Sequence, residues 1–211
     1  LQSLSREDEA ARERLNSASE DMVQRTCSWS DINTGSWNTA GLKSFAPVLA
    51  GAFSELQAHI DVIETEGFEA VADSGKTEVQ MTGPVIEVTA RPEADVQVIM
   101  SGHYDTVFPE DTFEGVTDLG DGRLNGMADM KGGLCVMLEA LKAFEAGSLR
   151  DRLGYKIVLT PDEEIGNFAS AEYLTRAAKS GAMIGMTYEP AMETGAMSGG
   201  RKGSAVFDIV L

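Results

Sequence analysis

The chain is poor in cysteine, basic residues and long apolar runs, and each shortage excludes a class of protein. Its two cysteines, Cys27 and Cys135, are too few for a disulfide framework, so we expect free thiols. No apolar run reaches the roughly 18 residues of a membrane helix, so no membrane-spanning helix is expected. Only 17 basic residues accompany 34 acidic ones, and the net charge of −17 argues against nucleic acid and anionic membranes as partners.

The remaining composition is that of a globular protein, with 43% hydrophobic and 24% charged residues. Apolar periodicity predicts strands that alternate with helices, which is typical of an α/β fold with a mixed sheet flanked by helices. Ser5 and Asp8 form the pattern of a capping box at the start of the first helix. The predicted helices cover 4–28, 40–65, 168–180 and a segment that follows 133; the predicted strands cover 67–72, 83–90, 96–100, 155–159 and 183–188.

Three consecutive carboxylates, Asp162, Glu163 and Glu164, follow the apolar run 155–159. Carboxylates at the end of a buried strand repel one another, and each prefers water to a protein interior. A multivalent cation would make the arrangement favourable, because the ion would then be the largest local charge. We therefore expect the two glutamates to divide the work of a metal site between ligation and proton transfer.

Other potential ligands also follow apolar runs. His103 and Asp105 come after the run 96–100, Glu189 comes after the run 183–188, and Asp129 lies in a glycine-containing loop before a helix. Ligands of open α/β sheets bind at the carboxyl ends of strands, so we expect these side chains to converge. One imidazole with several carboxylates suits Zn²⁺, with Mn²⁺ or Co²⁺ as alternatives. The carboxylates are more than one ion needs and would serve two ions about 3.5–4 Å apart.

The potential ligands lie in four motifs. In chain order they are Gly102-His103-Tyr104-Asp105-Thr106-Val107, Gly126-Met127-Ala128-Asp129-Met130-Lys131-Gly132-Gly133, Asp162-Glu163-Glu164-Ile165-Gly166 and Tyr188-Glu189-Pro190. Four motifs in this order resemble those of the dinuclear zinc exopeptidases, a family that includes glutamate carboxypeptidase, aminoacylase, acetylornithine deacetylase and succinyl-diaminopimelate desuccinylase. The similarity covers about residues 30–211.

The resemblance implies a role for each matching residue. Glu163 would be the general base toward the attacking water, and Asp105 would orient the imidazole of His103. A cis peptide bond is implied between Asp129 and Met130. The implied zinc ligands are His103 and Glu189 for one ion, Glu164 for the other, and Asp129 for both.

The chain departs from the family pattern in its histidines. The family has a further zinc-ligand histidine near its C-terminus, after an inserted dimerisation domain that supplies another histidine near the substrate carbonyl. This chain has only His59 and His103, and His59 is predicted to lie beside the apolar stripe of the helix 40–65. We therefore expect 1–203 to be the N-terminal part of a catalytic domain and 204–211 to be the first strand of a second domain. The expected partners are the missing C-terminal half and, in the intact protein, a second copy in a homodimer.

The implied function is a zinc-dependent hydrolase that cleaves an amide bond of a small peptide or N-acyl amino acid, with impaired activity in this form. The segment 103–109 favours the glutamate carboxypeptidase branch. An N-acyl amino acid deacylase, a dipeptidase and an inactive fragment remain alternatives. A phosphate-handling enzyme is disfavoured because no Gly-x-x-x-x-Gly-Lys-Ser/Thr loop is present. The expected compartment is the cytoplasm, or the periplasm if a signal peptide was removed.

Overall fold

The computed structural model describes residues 4–72, 74–112, 115–182, 184–191, 194 and 196. The helices are α1 (Arg6–Ser30), α2 (Thr39–Phe53), α3 (Gly133–Glu145) and α4 (Ala171–Ala178). Short helical turns cover Ala128–Gly132, Arg150–Arg152 and Glu163–Ile165. The strands are β1 (His59–Ile63), β2 (Phe68–Val71), β3 (Thr77–Gln80), β4 (Val85–Ala90), β5 (Val96–His103), β6 (Asp118–Gly120), β7 (Arg123–Leu124), β8 (Leu153–Thr160) and β9 (Ile184–Thr187).

Five strands form one mixed sheet in the order β1-β4-β8-β5-β9. β5 runs parallel to β8 and β9, whereas β4 runs antiparallel to both β8 and β1. The carboxyl ends of β5, β8 and β9 therefore lie at the same edge as the amino end of β4. This edge is called the site edge below. The predicted mixed α/β architecture is confirmed.

The sheet is covered on both faces, and the side chains of β8 alternate between two apolar cores. Ile157 and Leu159 belong to the larger core, which also contains side chains of α2 and α3. Val158 points to the other face and packs with Tyr173 and Ala177 of α4. Burial on both faces explains why β8 is a nearly continuous apolar run rather than an alternating one.

The first helix begins as predicted, and the second does not end as predicted. The Ser5 hydroxyl accepts a hydrogen bond from the Asp8 N–H at 3.2 Å, and the Asp8 carboxylate accepts one from the Ser5 N–H at 3.0 Å. The prediction of a helix over 40–65 was wrong beyond Phe53, because 59–63 forms the edge strand β1 paired with β4. His59 thus lies on an exposed strand, with its ring 3.1 Å from Asp61.

Further predictions concern the strands outside the main sheet, the cysteines and the C-terminal segment. The predicted strand near 67–72 is β2, and it forms a hairpin with β3, which was not predicted. A tight turn at Asp121-Gly122 joins β6 to β7. No described helix is long and apolar enough to cross a membrane, and both cysteines are free. The strand predicted for 204–211 lies outside the described residues.

Candidate metal centre

The site edge brings together side chains that are far apart in the sequence. His103 is the last residue of β5, Glu163 lies in the turn after β8, and Glu189 follows β9. The Nε2 atom of His103 lies 3.1 Å from Asp129 Oδ1, 3.7 Å from Glu189 Oε1 and 3.9 Å from Glu163 Oε2. The expected convergence at the carboxyl ends of parallel strands is therefore seen in the structure.

The chemistry of this cluster fits a divalent cation. Ligand atoms of His103, Asp129 and Glu164 all lie within 4.8 Å of one another. One imidazole nitrogen with carboxylate oxygens is a donor set that zinc accepts at distances of about 2.0–2.2 Å. A cation at their centre would also compensate the mutual repulsion of the carboxylates.

The orientation of the His103 ring also fits a bound divalent cation. Its Nδ1 atom lies 3.1 Å from the backbone carbonyl oxygen of Asp105 and 3.3 Å from Asp105 Oδ1, so Nδ1 is placed to donate its hydrogen there. The Nε2 atom therefore faces the acids, where its lone pair needs a proton or a metal ion. Burial alone would lower the pKa of His103, but the nearby carboxylates of Asp105 and Glu189 raise it to about 11.

Asp105 connects the imidazole of His103 to the turn Glu163–Ile165 after β8, called the acidic turn below. It is fully buried, and its carboxylate accepts hydrogen bonds from the N–H groups of Glu163 and Glu164 at 3.0 and 3.1 Å. The hydroxyl of Ser36 donates a third hydrogen bond at 2.8 Å. One carboxylate thus positions His103 and both glutamates. The sequence analysis did not identify Ser36, because a serine in a turn-rich loop carries no specific signal.

The three acids of the turn after β8 have different environments. Asp162 is buried, and one of its carboxylate oxygens accepts hydrogen bonds from the N–H groups of Ala169 and Ser170 at 2.7 and 3.3 Å. Burial raises the pKa of Asp162 and that of Glu163. Burial, together with the charge of Asp129, raises the pKa of Glu164 to about 7. Only the two glutamates therefore belong to the cluster.

Lys131 fixes the turn that carries Asp129. Its Nζ atom is buried and donates hydrogen bonds to the carbonyl oxygens of Trp29 and Ile32 at 3.0 and 2.7 Å. It also lies 4.6 Å from the centre of the Phe45 ring. Burial lowers the pKa of Lys131 to about 7. Sequence reasoning gave this lysine no role, because lysines are usually exposed.

A close backbone approach sets the position of the same turn from the other side. The first residue of α3, Gly133, packs so tightly against the end of β9 that a Cβ atom there would lie 1.9 Å from the Tyr188 carbonyl oxygen. A glycine is therefore required for Asp129 and Glu189 to lie beside one imidazole. The peptide bond between Asp129 and Met130 is cis, as the resemblance implied.

Comparisons with known proteins agree with this architecture. The model of the peptidase family M20/M25/M40 matches residues 99–204, about half of the chain. No curated protein sequence matches the chain significantly.

Solved structures match the fold. Human carnosine dipeptidase 1 has a TM-score of 0.69 at 20% identity, with 87% of this chain and 41% of that chain covered. The di-peptidase Dug1p from Saccharomyces cerevisiae has a TM-score of 0.69 at 17% identity, with 86% and 40% covered. The M20 family metallo-carboxypeptidase Sso-CP2 from Sulfolobus solfataricus has a TM-score of 0.61 at 18% identity, with 82% and 38% covered. The chain thus spans about two fifths of the length of these structures.

Proposed function

The chain belongs to the peptidase family M20/M25/M40, and from this premise we propose that it carries the metal centre of a zinc-dependent hydrolase that cleaves an amide or peptide bond. The observation that carries this proposal is the convergence of His103, Asp129 and Glu164, whose ligand atoms lie within 4.8 Å of one another. Three acids within 4 Å of His103 Nε2 strengthen it.

We assign the metal ligands by combining this geometry with the family pattern. His103 and Glu189 would hold one ion, Glu164 would hold a second, and Asp129 would contact both. His59 lies on the exposed strand β1, so the second ion would receive only carboxylates from the described residues and should bind more weakly. When bound, zinc lowers the pKa of coordinated water toward about 7 and polarises a carbonyl group.

Glu163 is the proposed proton carrier. Its carboxylate lies 3.9 Å from His103 Nε2, and its side chain is 44% exposed, so a substrate and a water molecule can reach it. Burial raises its pKa above the ordinary value, despite the opposing effect of His103. A general base and acid works best with a pKa close to the working pH. Glu163 would accept a proton from the attacking water and return it to the leaving amine.

The proposed substrate class follows from the same family. The segment 103–109 favours a glutamate-carboxypeptidase-like exopeptidase. A dipeptidase is the second candidate, since two of the structurally similar proteins are named dipeptidases. An N-acyl amino acid deacylase shares the same four motifs. These activities differ in the groups on either side of the scissile amide, so a substrate panel separates them.

The test is hydrolysis by the zinc-loaded protein of a peptide with C-terminal glutamate, a dipeptide and an N-acetyl amino acid. We expect cleavage of the glutamate peptide. Glu163→Gln should keep its zinc and lose at least about 100-fold in turnover, because it removes the proton carrier. Glu172→Gln makes the same chemical change on the exposed side of α4 and should leave turnover unchanged. Loss of zinc from Glu163→Gln would make Glu163 a ligand, and cleavage of no substrate would refute the function.

A further inference from the structure

Three aromatic rings form a continuous, partly exposed surface, here called the aromatic row: Trp37, Phe68 and Phe168. The ring centres of Trp37 and Phe68 are 6.3 Å apart, and those of Phe68 and Phe168 are 5.2 Å apart in a stacked arrangement. Trp37 and Phe168 are each 62% exposed. Contiguous exposed apolar rings are one of the features of ligand-binding surfaces.

The three rings of the aromatic row lie on segments that are attached to the site edge. Phe168 lies shortly after the acidic turn. A hydrogen bond from the Asn167 N–H to the Asp162 carbonyl oxygen at 2.7 Å closes the loop before it. Phe68 begins the β2–β3 hairpin, which connects β1 to the amino end of β4 and therefore projects from the site edge. Trp37 follows Ser36, whose hydroxyl donates to Asp105. Trp37 is thus the chain neighbour of the residue that donates to the carboxylate of Asp105, which positions the imidazole and the two glutamates.

A recess at one end of the row has room for a single ring. Trp37, Val107 and Phe108 are among its lining residues, and its volume is about 160 Å³. An engineered apolar cavity of about 150 Å³ in another protein binds benzene. The recess therefore has the volume of one aromatic ring, and Trp37, Val107 and Phe108 offer it apolar contacts beside the polar residues Asn38 and Glu110.

We propose that the aromatic row and this recess form a subsite for an aromatic group of the substrate, next to the amide bond that is cleaved. The proposal rests on the proposed amide hydrolase function and specifies its substrate class. The aromatic group can belong to the acyl part or to the amino acid part of the substrate. A contact between an aromatic ring of the protein and one of the ligand contributes a modest free energy of binding. Removing one ring of the row should therefore weaken binding of an aromatic ligand about 2- to 13-fold.

The experiment uses the zinc-loaded protein and three ligands: N-benzoyl-alanine, N-acetyl-phenylalanine and their common reference N-acetyl-alanine. The chain has two tryptophans, of which Trp29 is 4% exposed and buried in the core. The two indole N–H signals of a ¹H–¹⁵N spectrum therefore separate the exposed Trp37 from an internal control. Trp37→Ala and Phe168→Ala test the row. Leu149→Ala removes a side chain that is 55% exposed and lies before the amino end of β8, at the opposite edge of the sheet.

We expect at least one aromatic ligand to bind more tightly than N-acetyl-alanine and to shift the Trp37 signal while leaving the Trp29 signal unchanged. The ligand that does so identifies the acyl or the amino acid part as the aromatic one. Trp37→Ala and Phe168→Ala should weaken that ligand by about 2- to 13-fold without affecting N-acetyl-alanine, and Leu149→Ala should change neither.

Equal affinities for all three ligands in the wild-type protein, or an unshifted Trp37 signal, would overturn the subsite. A self-association that Trp37→Ala and Phe168→Ala abolish, with ligand preference unchanged, would also overturn it, because the row would then cover a second copy of the chain. Hydrolysis of the substrate panel described above, which includes the peptide with C-terminal glutamate, is the separate readout of the proposed function. Cleavage of a panel substrate together with equal affinities for the three ligands would refute the subsite alone. Cleavage of no panel substrate would refute the function.

Discussion

Replacing Asp105 with asparagine removes one negative charge at nearly constant volume from the centre of the site. The carboxylate accepts hydrogen bonds from two backbone N–H groups of the acidic turn and from the Ser36 hydroxyl, and it faces His103 Nδ1 at 3.3 Å. The asparagine amide supplies one oxygen and one NH₂ group. The NH₂ group can only donate, so it would face one or more of these donor groups in place of an oxygen that accepted their hydrogen bonds.

The expected loss follows from these contacts. Hydrogen bonds to a charged group contribute about 1.5–3 kcal/mol each, and a buried donor left without a partner costs about 1–3 kcal/mol. Because the asparagine oxygen still accepts some of these bonds, we expect Asp105→Asn to lower the free energy of unfolding by about 2–4 kcal/mol. Substitutions behind a metal-binding histidine weaken metal binding by about 10- to 100-fold. The same change lowers the pKa of His103, so protons compete less with zinc for its Nε2 atom. This partly offsets the weaker positioning, and we therefore expect zinc affinity to fall about tenfold, at the low end of that range.

Chemical denaturation of the metal-free protein and calorimetric zinc titration measure these two effects. Ser36→Ala is the matched control, because it removes one neutral donor and keeps the carboxylate with its two backbone partners. It should cost about 1 kcal/mol of stability and leave zinc affinity within about threefold. If Asp105→Asn bound zinc as tightly as the wild-type protein, the proposed positioning role of Asp105 would be refuted.

Three further predictions test other parts of the site. Gly133→Ala should destabilise the protein by about 3 kcal/mol, at the upper end of the usual range, because its Cβ would collide with a backbone carbonyl. Gly51→Ala, in an open helical position, should stabilise it by about 0.5–1 kcal/mol. Equal melting temperatures for the two variants would contradict this. The pKa of Lys131 is lowered to about 7 in the folded protein, so its contribution to stability is lost as the pH falls through 7. Denaturation curves should therefore show that the free energy of unfolding of the wild-type protein rises relative to that of Lys131→Met between pH 7 and pH 10. If the two free energies changed in parallel with pH, the lowered pKa of the buried Lys131 amine would be refuted. Zinc must displace the imidazole proton of His103, whose pKa is about 11, and below pH 7 also the proton of Glu164. Calorimetry in buffers of different ionisation enthalpy should show about one proton released at pH 8.5 and about two at pH 5.5, and a pH-independent number would contradict the assignment.

The sequence carries the parts of the fold that depend on local pattern. The capping box at Ser5 was predictable because its donors and acceptors are three residues apart. The gathering of His103, Glu163 and Glu189 was also predictable, because parallel strands place their carboxyl ends at one edge. Neither inference needs a distant contact to be known.

One wrong prediction and two roles that the sequence did not reveal arose where contacts with other segments decide the structure. Ile60 and Ile63 match the helical spacing of the residues before them, yet they form a strand because β4 offers a free edge. Asp162 follows the same run as the two glutamates, yet it bonds the loop before α4. Lys131 is buried because the carbonyl groups at the end of α1 and in the loop after it lie within reach of its amine. No local pattern in the sequence encodes these contacts.

Anomalous diffraction at the zinc absorption edge, from crystals soaked in zinc, tests the central claim most directly. We predict a strong peak about 2.0–2.2 Å from His103 Nε2 and from carboxylate oxygens of Asp129 and Glu189. A second, weaker peak should lie beside Glu164. Zinc bound only elsewhere, for example at the exposed His59, with no peak at His103, would contradict the account.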